Sequence, residues 1–168
     1  KSNFVLVAGD CTGHGVPGAL MSMLGISFLE EIVNNREISE SGNILNELRK
    51  EVQRALHQTG ASEEAKDGMD ISLCVIDKKR KTINFSGAYN NLYLFRNGEM
   101  NEYSADRIPI GIFVTSNRGF SRQEIPFLKG DIIYMLSDGY ADQFGGPSGK
   151  KFKYSALKEL LLSVHKLP

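Results

Sequence analysis

The segment GDCTGHGVPG, residues 9–18, combines residue types that could take part in chemistry. It places Asp10 among glycines, between the apolar run FVLVA and a long helical pattern. Glycine-rich loops between a strand and a helix usually bind phosphate through backbone N–H groups, and a carboxylate there repels phosphate unless a cation lies between them. We therefore expect Asp10 to bind a cation that faces a phosphate group.

Asp10 has a counterpart in the segment IIYMLSDGYAD, where Asp138 also stands beside a glycine after an apolar strand pattern. Carboxylates at strand ends are held rigidly with room beside them, which suits hard divalent cations such as Mg²⁺ and Mn²⁺. Aspartate and glycine after a strand are also an ordinary turn signal, which is the interpretation we favour for Asp131. The two segments together are more specific, so Asp10 and Asp138 are candidate metal ligands.

Three further residues each allow two interpretations. Asp70, in the segment GMDIS, could add a carboxylate to the site, but we favour a turn where a strand begins. Asp142 follows Asp138 by four residues and could support the site from behind or lie on the surface of a turn. Arg107 could bind a substrate phosphate through two parallel N–H groups, although a solvated loop arginine is commoner.

A zinc site is a weaker alternative. Cys11 and His14 are three residues apart, a spacing that could supply half of such a site. No second pair at ligand spacing follows, because Cys74, His57 and His165 are scattered along other predicted elements. The sequence therefore favours oxygen ligands.

Helical patterns follow the loop and close the chain. Pro17 suits a first helical turn, and apolar residues recur at helical spacing from there to the asparagine pair at 34–35. A second amphipathic helix is predicted from Ser41 to His57, and a last helix from Tyr154 to Lys166.

Strand patterns occupy most of the remaining chain. The opening segment NFVLVAG predicts a buried strand that ends at Gly9. The segments DISLCVID, KTINFSGA and NLYLFRNGEM predict an antiparallel meander with a tight turn at Asn97 and Gly98. The segment DIIYMLSD predicts a strand that stops at Asp138, whereas ADRIPIGIFVTSNRGF, residues 105–120, lacks a clean period and predicts a surface loop with some strand.

Length and composition indicate one globular domain. The chain has 168 residues, of which 41% are hydrophobic, enough for one substantial core. Its 20 basic and 20 acidic residues cancel, so neither nucleic acid nor an anionic membrane surface is indicated as a partner. Two cysteines are too few for a disulfide framework, and no long uncharged apolar run indicates membrane insertion, so we expect a cytoplasmic setting.

The sequence resembles the metal-dependent protein phosphatases of type 2C, in the bacterial branch related to the stage II sporulation phosphatase SpoIIE. An aspartate followed by Gly-His-Gly and Pro-Gly-Ala, with Ser-Asp-Gly more than a hundred residues later, is a specific combination. The resemblance covers nearly the whole chain and is carried, in order, by VAGDCTGHGVPGALMSMLG, GMDISLCVID, FSGAYNNLYLFRNG, ADRIPIGI and GDIIYMLSDGYADQF.

The resemblance implies an α+β fold, an αββα sandwich of two antiparallel sheets flanked by helices, with a metal centre at one end of the sheets. It also implies that the domain hydrolyses phosphoserine or phosphothreonine on a protein. Carried onto this chain, it implies that Asp10 bridges two Mn²⁺ or Mg²⁺ ions, that the backbone carbonyl of Cys11 binds one of them and that Asp138 binds the other. Gly139 would permit the turn beside Asp138.

This chemistry needs a nucleophile and charge stabilisation, because uncatalysed hydrolysis of a phosphate monoester is extremely slow. Two divalent cations supply both, through an activated water and a clamp on the attacking and leaving oxygens. His14 could protonate the departing oxygen, or it could hold the glycine loop by hydrogen bonds. A nucleotide-binding loop is disfavoured, because Gly15 is followed by Val16 and Pro17 rather than by lysine and a hydroxyl residue.

The ends of the sequence raise a further expectation. Relatives carry acidic motifs before the first strand and after the last helix, so residues 1–168 are expected to be a single SpoIIE-like phosphatase domain without its first and last strands. Unpaired sheet edges would then favour self-association, for example as a homodimer. A catalytically incomplete module that serves as a binding or dimerisation platform in signalling is the alternative. The resemblance further implies an upstream sensor module and, as substrate, a phosphorylated anti-anti-sigma factor.

Overall fold

The computed structural model describes residues 3–59, 67–113, 118–147 and 149–166, which form an α+β fold. An apolar, strand-forming N-terminal segment is followed by two helices, a long run of strands and a last helix. The helices are α1 (Gly15–Glu30), which continues as a π-helical segment (Glu31–Asn35), α2 (Ser41–Ala55) and α3 (Lys153–Val164). The strands are β1 (Asn3–Cys11), β2 (Gly68–Asp77), β3 (Thr82–Ala88), β4 (Leu92–Arg96), β5 (Glu99–Tyr103), β6 (Ile110–Gly111), β7 (Gln123–Pro126), β8 (Ile132–Met135), β9 (Phe144–Gly145) and β10 (Lys150–Lys151).

The longer strands form two antiparallel sheets. In the first sheet the order is β1-β2-β3-β7, and β6 pairs with the beginning of β2. In the second sheet the order is β5-β4-β8, while β9 and β10 form a separate pair. The chain passes from the first sheet to the second between β3 and β4.

Alternation along the strands divides the interior into three layers of apolar contact. On one face of β2, Ile71, Leu73 and Val75 pack against the first two helices, whereas Cys74 on the opposite face packs between the sheets. On β4, Leu92 and Leu94 face the first sheet, and Tyr93 and Phe95 pack against α3. The layers are therefore helix, sheet, sheet and helix, as predicted.

Helix α2 covers the outer face of the first sheet with the apolar stripe that the sequence predicts. Ile44, Leu45, Leu48 and Val52 on this stripe are each at most 1% exposed. The first helix contributes Met21 and Ile32 to the same core. Within the described ranges, one continuous helix, Gly15–Asn35, is long and apolar enough to cross a membrane by length and composition alone.

Several predicted boundaries differ from the structure. The first strand extends through Cys11, two residues past the predicted end at Gly9, and the prediction that it is buried is wrong, because β1 lies at the end of the strand order in the described sheet. The strand predicted to reach Asp138 ends at Met135, and residues 138–142 form a turn. The predicted single meander is wrong, because β3 and β4 pair in different sheets. Their segment sequences alone carry no signal for this crossing.

The described residues of segment 105–120 include a short strand, as predicted, but they do not form a surface loop. Ile108, Ile110 and Phe120 are buried in the core beside the first two helices, and Ile110 begins the short strand β6. Residues 114–117 lie outside the described part of the chain. The apolar residues here lack a period because they enter the core from irregular backbone rather than from a helix or a long strand.

Candidate active site

The glycine loop after β1 has a backbone that requires glycine. Gly13 and Gly15 have φ angles of +89° and +65°, in the left-handed region that glycine adopts without strain. A Cβ atom on Gly18 would lie 2.8 Å from the carbonyl oxygen of Gly13, so the first turn of α1 can approach the loop only without a side chain there. The loop therefore turns sharply from the strand into the helix.

Thr12 fastens this loop to the beginning of β2. Its N–H donates to the carbonyl oxygen of Gly68 at 2.9 Å, and the N–H of Gly68 donates to Thr12 Oγ1 at 2.8 Å. The strand pairing thus continues past the end of β1. Asp10, two residues earlier, is fixed on a paired backbone.

Three aspartates from separate parts of the chain converge beside this loop. Asp10 on β1 lies directly opposite Asp70 on β2 in the antiparallel register, so the two side chains share one face of the sheet. The turn after β8 brings Asp138 to the same place, because a Cβ atom on Gly139 would lie 4.0 Å from Asp10 Oδ2. Asp70 is the third residue of β2 and not part of a turn, so our preferred interpretation of it as a turn residue is wrong.

The electrostatics of the site are those of crowded carboxylates. The pKa of Asp70 is raised to about 6, first by burial and then by the negative charges of Asp138 and Asp10. Within the part of the chain that the structure describes, none of the three forms an ion pair with a lysine, arginine or histidine. The negative charge is left without a protein cation, which suits a bound metal ion.

The carboxylate oxygens of the three aspartates are of the type that hard divalent cations bind, but the described side chains are too few to hold such an ion. Carboxylate oxygens are the ligands that Mg²⁺ and Mn²⁺ prefer. Among the described residues, however, no three His, Cys, Asp or Glu side chains are placed so that they could hold a metal ion as they stand. The described side chains by themselves therefore do not form a complete metal site.

His14 and Cys11 flank the loop in different ways. His14 is exposed at the N-cap of α1 and makes no side-chain capping bond or hydrogen bond with another described residue. The possible role of His14 in holding the glycine loop by hydrogen bonds therefore finds no partner among the described residues. Cys11 ends β1, and its half-buried side chain packs against the apolar core next to the helices. Neither this thiol nor the buried Cys74 belongs to a group of three or more His, Cys, Asp or Glu side chains that could hold a metal ion among the described residues.

The turn that carries Asp138 is closed by its own backbone. The N–H of Asp142 donates to the carbonyl oxygen of Asp138 at 2.9 Å. The Asp142 carboxylate lies 2.6 Å from Lys151 Nζ on β10, so its charge is already paired. Gly139 occupies the second position of this turn.

A cavity of about 250 Å³ contains functional candidates that the sequence did not reveal, and we call it the tyrosine cavity. The pKa of Tyr154 is raised by burial and then by Asp138 and Asp142, while the Arg107 charge acts in the opposite direction. Tyr154 is therefore within electrostatic range of both the aspartates and Arg107. The lining includes Asn90, Tyr93, Glu102, Arg107, Tyr154 and Lys158. Of these residues, the sequence analysis identified only Arg107, because of its positive charge. The others come together only in the folded chain, from irregular backbone, strands and α3.

The family model described as Stage II sporulation protein E (SpoIIE) matches residues 1–168 of this chain. A comparison with curated proteins finds no match. The family match therefore extends over the whole sequence, including the segments that carry Asp10 and Asp138.

Solved structures with the same fold are type 2C phosphatase (PP2C) domains. The SiaA PP2C domain of Pseudomonas aeruginosa is 27% identical with a TM-score of 0.81, over 99% of this chain and 68% of that chain. The RsbU and RsbW domains of a Mycobacterium tuberculosis protein are 19% identical with a TM-score of 0.72, over 98% of this chain and 44% of that one.

The phosphatase domain and regulatory fragment of SpoIIE from Bacillus subtilis are 18% identical with a TM-score of 0.67, over 83% of this chain and 39% of that one. The chain thus spans less than half the length of these last two structures. The fold agrees with that of all three neighbours, and type 2C phosphatases are metal-dependent serine/threonine phosphatases. This chain belongs to the SpoIIE family of type 2C protein phosphatases.

Proposed function

We propose that this domain hydrolyses phosphoserine or phosphothreonine on a regulatory protein, with two divalent cations, Mn²⁺ or Mg²⁺, at the aspartates. The observation that carries the proposal is the convergence of Asp10, Asp70 and Asp138, which have no cationic partner among the described residues, beside a glycine loop. When bound, the cations supply an activated water and stabilise charge on the phosphoryl oxygens.

The chain's own residues have separate roles in this proposal. Asp10 and Asp138 bind the cations through their carboxylates, and Cys11 contributes its backbone carbonyl. Asp70 adds a third carboxylate from the opposite strand. Asp142 and Gly139 shape the turn that holds Asp138.

His14 is our candidate for the proton donor to the departing serine oxygen. Its exposed side chain at the start of α1 makes no hydrogen bond with another described residue, so it can reach a substrate in front of the loop. An imidazole is a common general acid in enzymes.

The substrate and setting follow from the same proposal. On the resemblance described in the sequence analysis, we propose a phosphorylated anti-anti-sigma factor as substrate, in the cytoplasm and under control of a sensor module. The domain would remove the phosphoryl group and so reset a signalling switch.

Hydrolysis of p-nitrophenyl phosphate and a phosphoserine peptide tests the proposal. We expect turnover that requires Mn²⁺ or Mg²⁺, is abolished by excess chelator and survives Cys11→Ala, because only the backbone of Cys11 is used. Asp138→Asn should lower turnover by several orders of magnitude and weaken Mn²⁺ binding in a calorimetric titration. Asp77→Asn, at the far end of β2, is the matched control. Full turnover in chelator, or a normal rate for Asp138→Asn, would contradict the mechanism.

A further inference from the structure

The tyrosine cavity is assembled from two backbone segments that are joined directly. The N–H of Tyr89 donates to the carbonyl oxygen of Asp106 at 2.9 Å, and the N–H of Asp106 donates to that of Gly87 at 3.0 Å. A Cβ atom on Gly87 would lie 2.6 Å from the carbonyl oxygen of Asn90, so only glycine permits this approach. This backbone pairing joins the two segments that contribute Asn90 and Arg107 to the cavity lining.

Asp106 anchors the arginine segment and leaves Arg107 available. The Asp106 carboxylate accepts hydrogen bonds from the N–H and the hydroxyl of Ser121, both at 2.7 Å, and lies 3.6 Å from Arg118 Nη2. Arg107 itself is exposed and forms no ion pair or hydrogen bond with another described residue. Its guanidinium therefore lines the cavity without a described carboxylate to neutralise it.

Asn90 adds a buried donor that lacks a partner. The side chain is 4% exposed, and its Nδ2 atom makes no hydrogen bond within the described structure. A buried polar group without a hydrogen bond costs about 1–3 kcal/mol, so such groups are rare unless a ligand or water completes them. Since Asn90 lines the cavity, an acceptor bound there would satisfy this amide.

The charges in the cavity favour a ligand with one negative charge. Lys158 Nζ lies 2.6 Å from Glu102 Oε2, so this pair is internally neutral. Arg107 is left as the net positive charge. Burial also raises the pKa of Tyr93 to about 12, so its phenol stays protonated at neutral pH. A phosphate dianion would meet only one uncompensated cation and would lie near the Glu102 carboxylate, whereas a carboxylate would be matched in charge.

The cavity adjoins the turn that carries Asp138. Leu136, two residues before Asp138, lines the cavity together with Arg107 and Tyr154. A peptide with its phosphorylated residue at the aspartates would thus extend a neighbouring side chain toward Arg107.

We propose that Arg107 and Asn90 bind the carboxylate of an acidic side chain that flanks the phosphorylated residue of the protein substrate. The cavity is then a specificity site for phosphoproteins with an aspartate or glutamate beside the phosphoserine. This inference rests on the proposed phosphatase function and deepens it by defining a substrate class.

Two phosphoserine peptides that differ only in Glu or Gln on both sides of the phosphoserine test the inference. The wild-type chain with Mn²⁺ should have a higher kcat/KM for the glutamate peptide, mainly through a lower KM. Arg107→Gln should reduce this preference about tenfold, as expected for the loss of a charged hydrogen bond. It should leave p-nitrophenyl phosphate turnover unchanged, and Arg107→Lys should restore part of the preference. Arg80→Gln makes the same charge change on a remote, 81% exposed side chain and should change nothing.

Three results would overturn the inference. An equal loss for both peptides and for p-nitrophenyl phosphate would place Arg107 at the phosphoryl group instead. Unchanged kinetics, or a weaker inhibition by inorganic phosphate in Arg107→Gln than in wild type, would also exclude a site for a flanking carboxylate.

Binding measurements separate this inference from the phosphatase proposal. Fluorescence anisotropy of the same labelled peptides, with chelator present, should show tighter binding of the glutamate peptide to wild type and loss of the difference in Arg107→Gln. That result without any turnover would refute the proposed hydrolysis and keep the specificity site. Turnover with no binding preference would refute the specificity site alone. Asn90→Asp, checked for a normal melting temperature, should likewise abolish the preference.

Discussion

Asp70 illustrates how a single position in a sheet can concentrate charge. It lies opposite Asp10 across a strand pair and within electrostatic range of Asp138. Like charges directly opposite one another destabilise a sheet, so this arrangement lowers stability unless a cation compensates for it. The cations that we propose at this site would relieve this repulsion.

The first prediction concerns the stability of the metal-free protein. The pKa of Asp70 is about 6 in the folded state against 3.8 as its ordinary value. The folded state binds the Asp70 proton more tightly than the unfolded state does, so protonation of Asp70 stabilises the fold. This stabilisation is fully present below about pH 3.8 and is lost as the pH rises through about 6. With chelator present, Asp70→Asn should raise the melting temperature at pH 8 and have a smaller effect at pH 5.

Asp77→Asn on the same strand is the control for this experiment. Asp77 accepts hydrogen bonds from the N–H groups of Lys79 and Arg80, at 2.9 and 3.0 Å, and an asparagine can still accept them. Its effect on the melting temperature should not follow the pattern of Asp70. A stabilisation by Asp70→Asn that is the same at pH 5 and pH 8 would contradict the assignment of the raised pKa.

At the scale of elements, the connection from β1 to α1 depends on close contact between two backbone segments more than on contacts between side chains. The helix begins without a side-chain cap, and its first turn packs against the loop through glycine. Gly18 permits the close contact with Gly13, whereas Gly25 in the same helix faces the flexible end of Met69. The same substitution should therefore have different effects at these two positions.

The second prediction compares Gly18→Ala with Gly25→Ala. A methyl group on Gly18 would meet the Gly13 carbonyl oxygen at 2.8 Å, so the loop must move and the aspartate beside it moves with it. A methyl group on Gly25 would meet the Met69 methyl at 2.9 Å, which can rotate away, and alanine favours the helix by about 1 kcal/mol. Phosphatase turnover and urea unfolding should both suffer in Gly18→Ala and remain closer to normal in Gly25→Ala. The reverse order would exclude the loop contact as the reason for glycine.

The sequence predicted elements with a regular period and missed those without one. The apolar stripe of α2 predicted both this helix and its buried face, and the β-rich segment DISLCVID predicted the strand β2. The core residues of segment 105–120 were missed because Ile108 and Ile110 enter from irregular backbone. Asp10 and Asp138 could be selected from their place after apolar runs, whereas the closeness of Asp70 depends on strand register. Asn90 and Tyr154 had no local signal, since only the tertiary fold brings them to one cavity.

For the whole molecule, the four layers place the candidate site and the structural core at different locations. The interior between the sheets is apolar, with Phe85, Leu92 and Leu94 at most 1% exposed. The aspartates stand beyond it, where β1 and β2 meet the turn after β8. Residues that hold the sheets together can therefore be changed without contact with the reacting groups.

Arg96 connects the two sheets at such a place. On β4 in the second sheet, it binds Asp131 through Nε and Nη2 at 3.0 and 2.6 Å, and Nη2 also donates to the carbonyl oxygen of Pro126 on β7 in the first sheet at 2.7 Å. The N–H of Leu128 donates to the same Asp131 carboxylate at 2.8 Å. Asp131 is thus a turn residue, as the sequence suggested, and also the anion that holds this arginine.

The third prediction is that Arg96→Met lowers the urea midpoint of unfolding while leaving turnover per folded molecule unchanged. Methionine keeps an apolar stem but loses the hydrogen bonds to both sheets. The Arg96 guanidinium lowers the pKa of Asp131, so the paired carboxylate stabilises the fold above its ordinary pKa of 3.8, and this contribution is lost as the pH falls through the lowered value. The difference between wild type and Arg96→Met should therefore shrink in strongly acidic solution. Arg80→Met is the control, because Arg80 is 81% exposed and lies 3.9 Å from Asp77. If both variants lower the midpoint equally, the contact between the sheets contributes nothing beyond an ordinary surface charge.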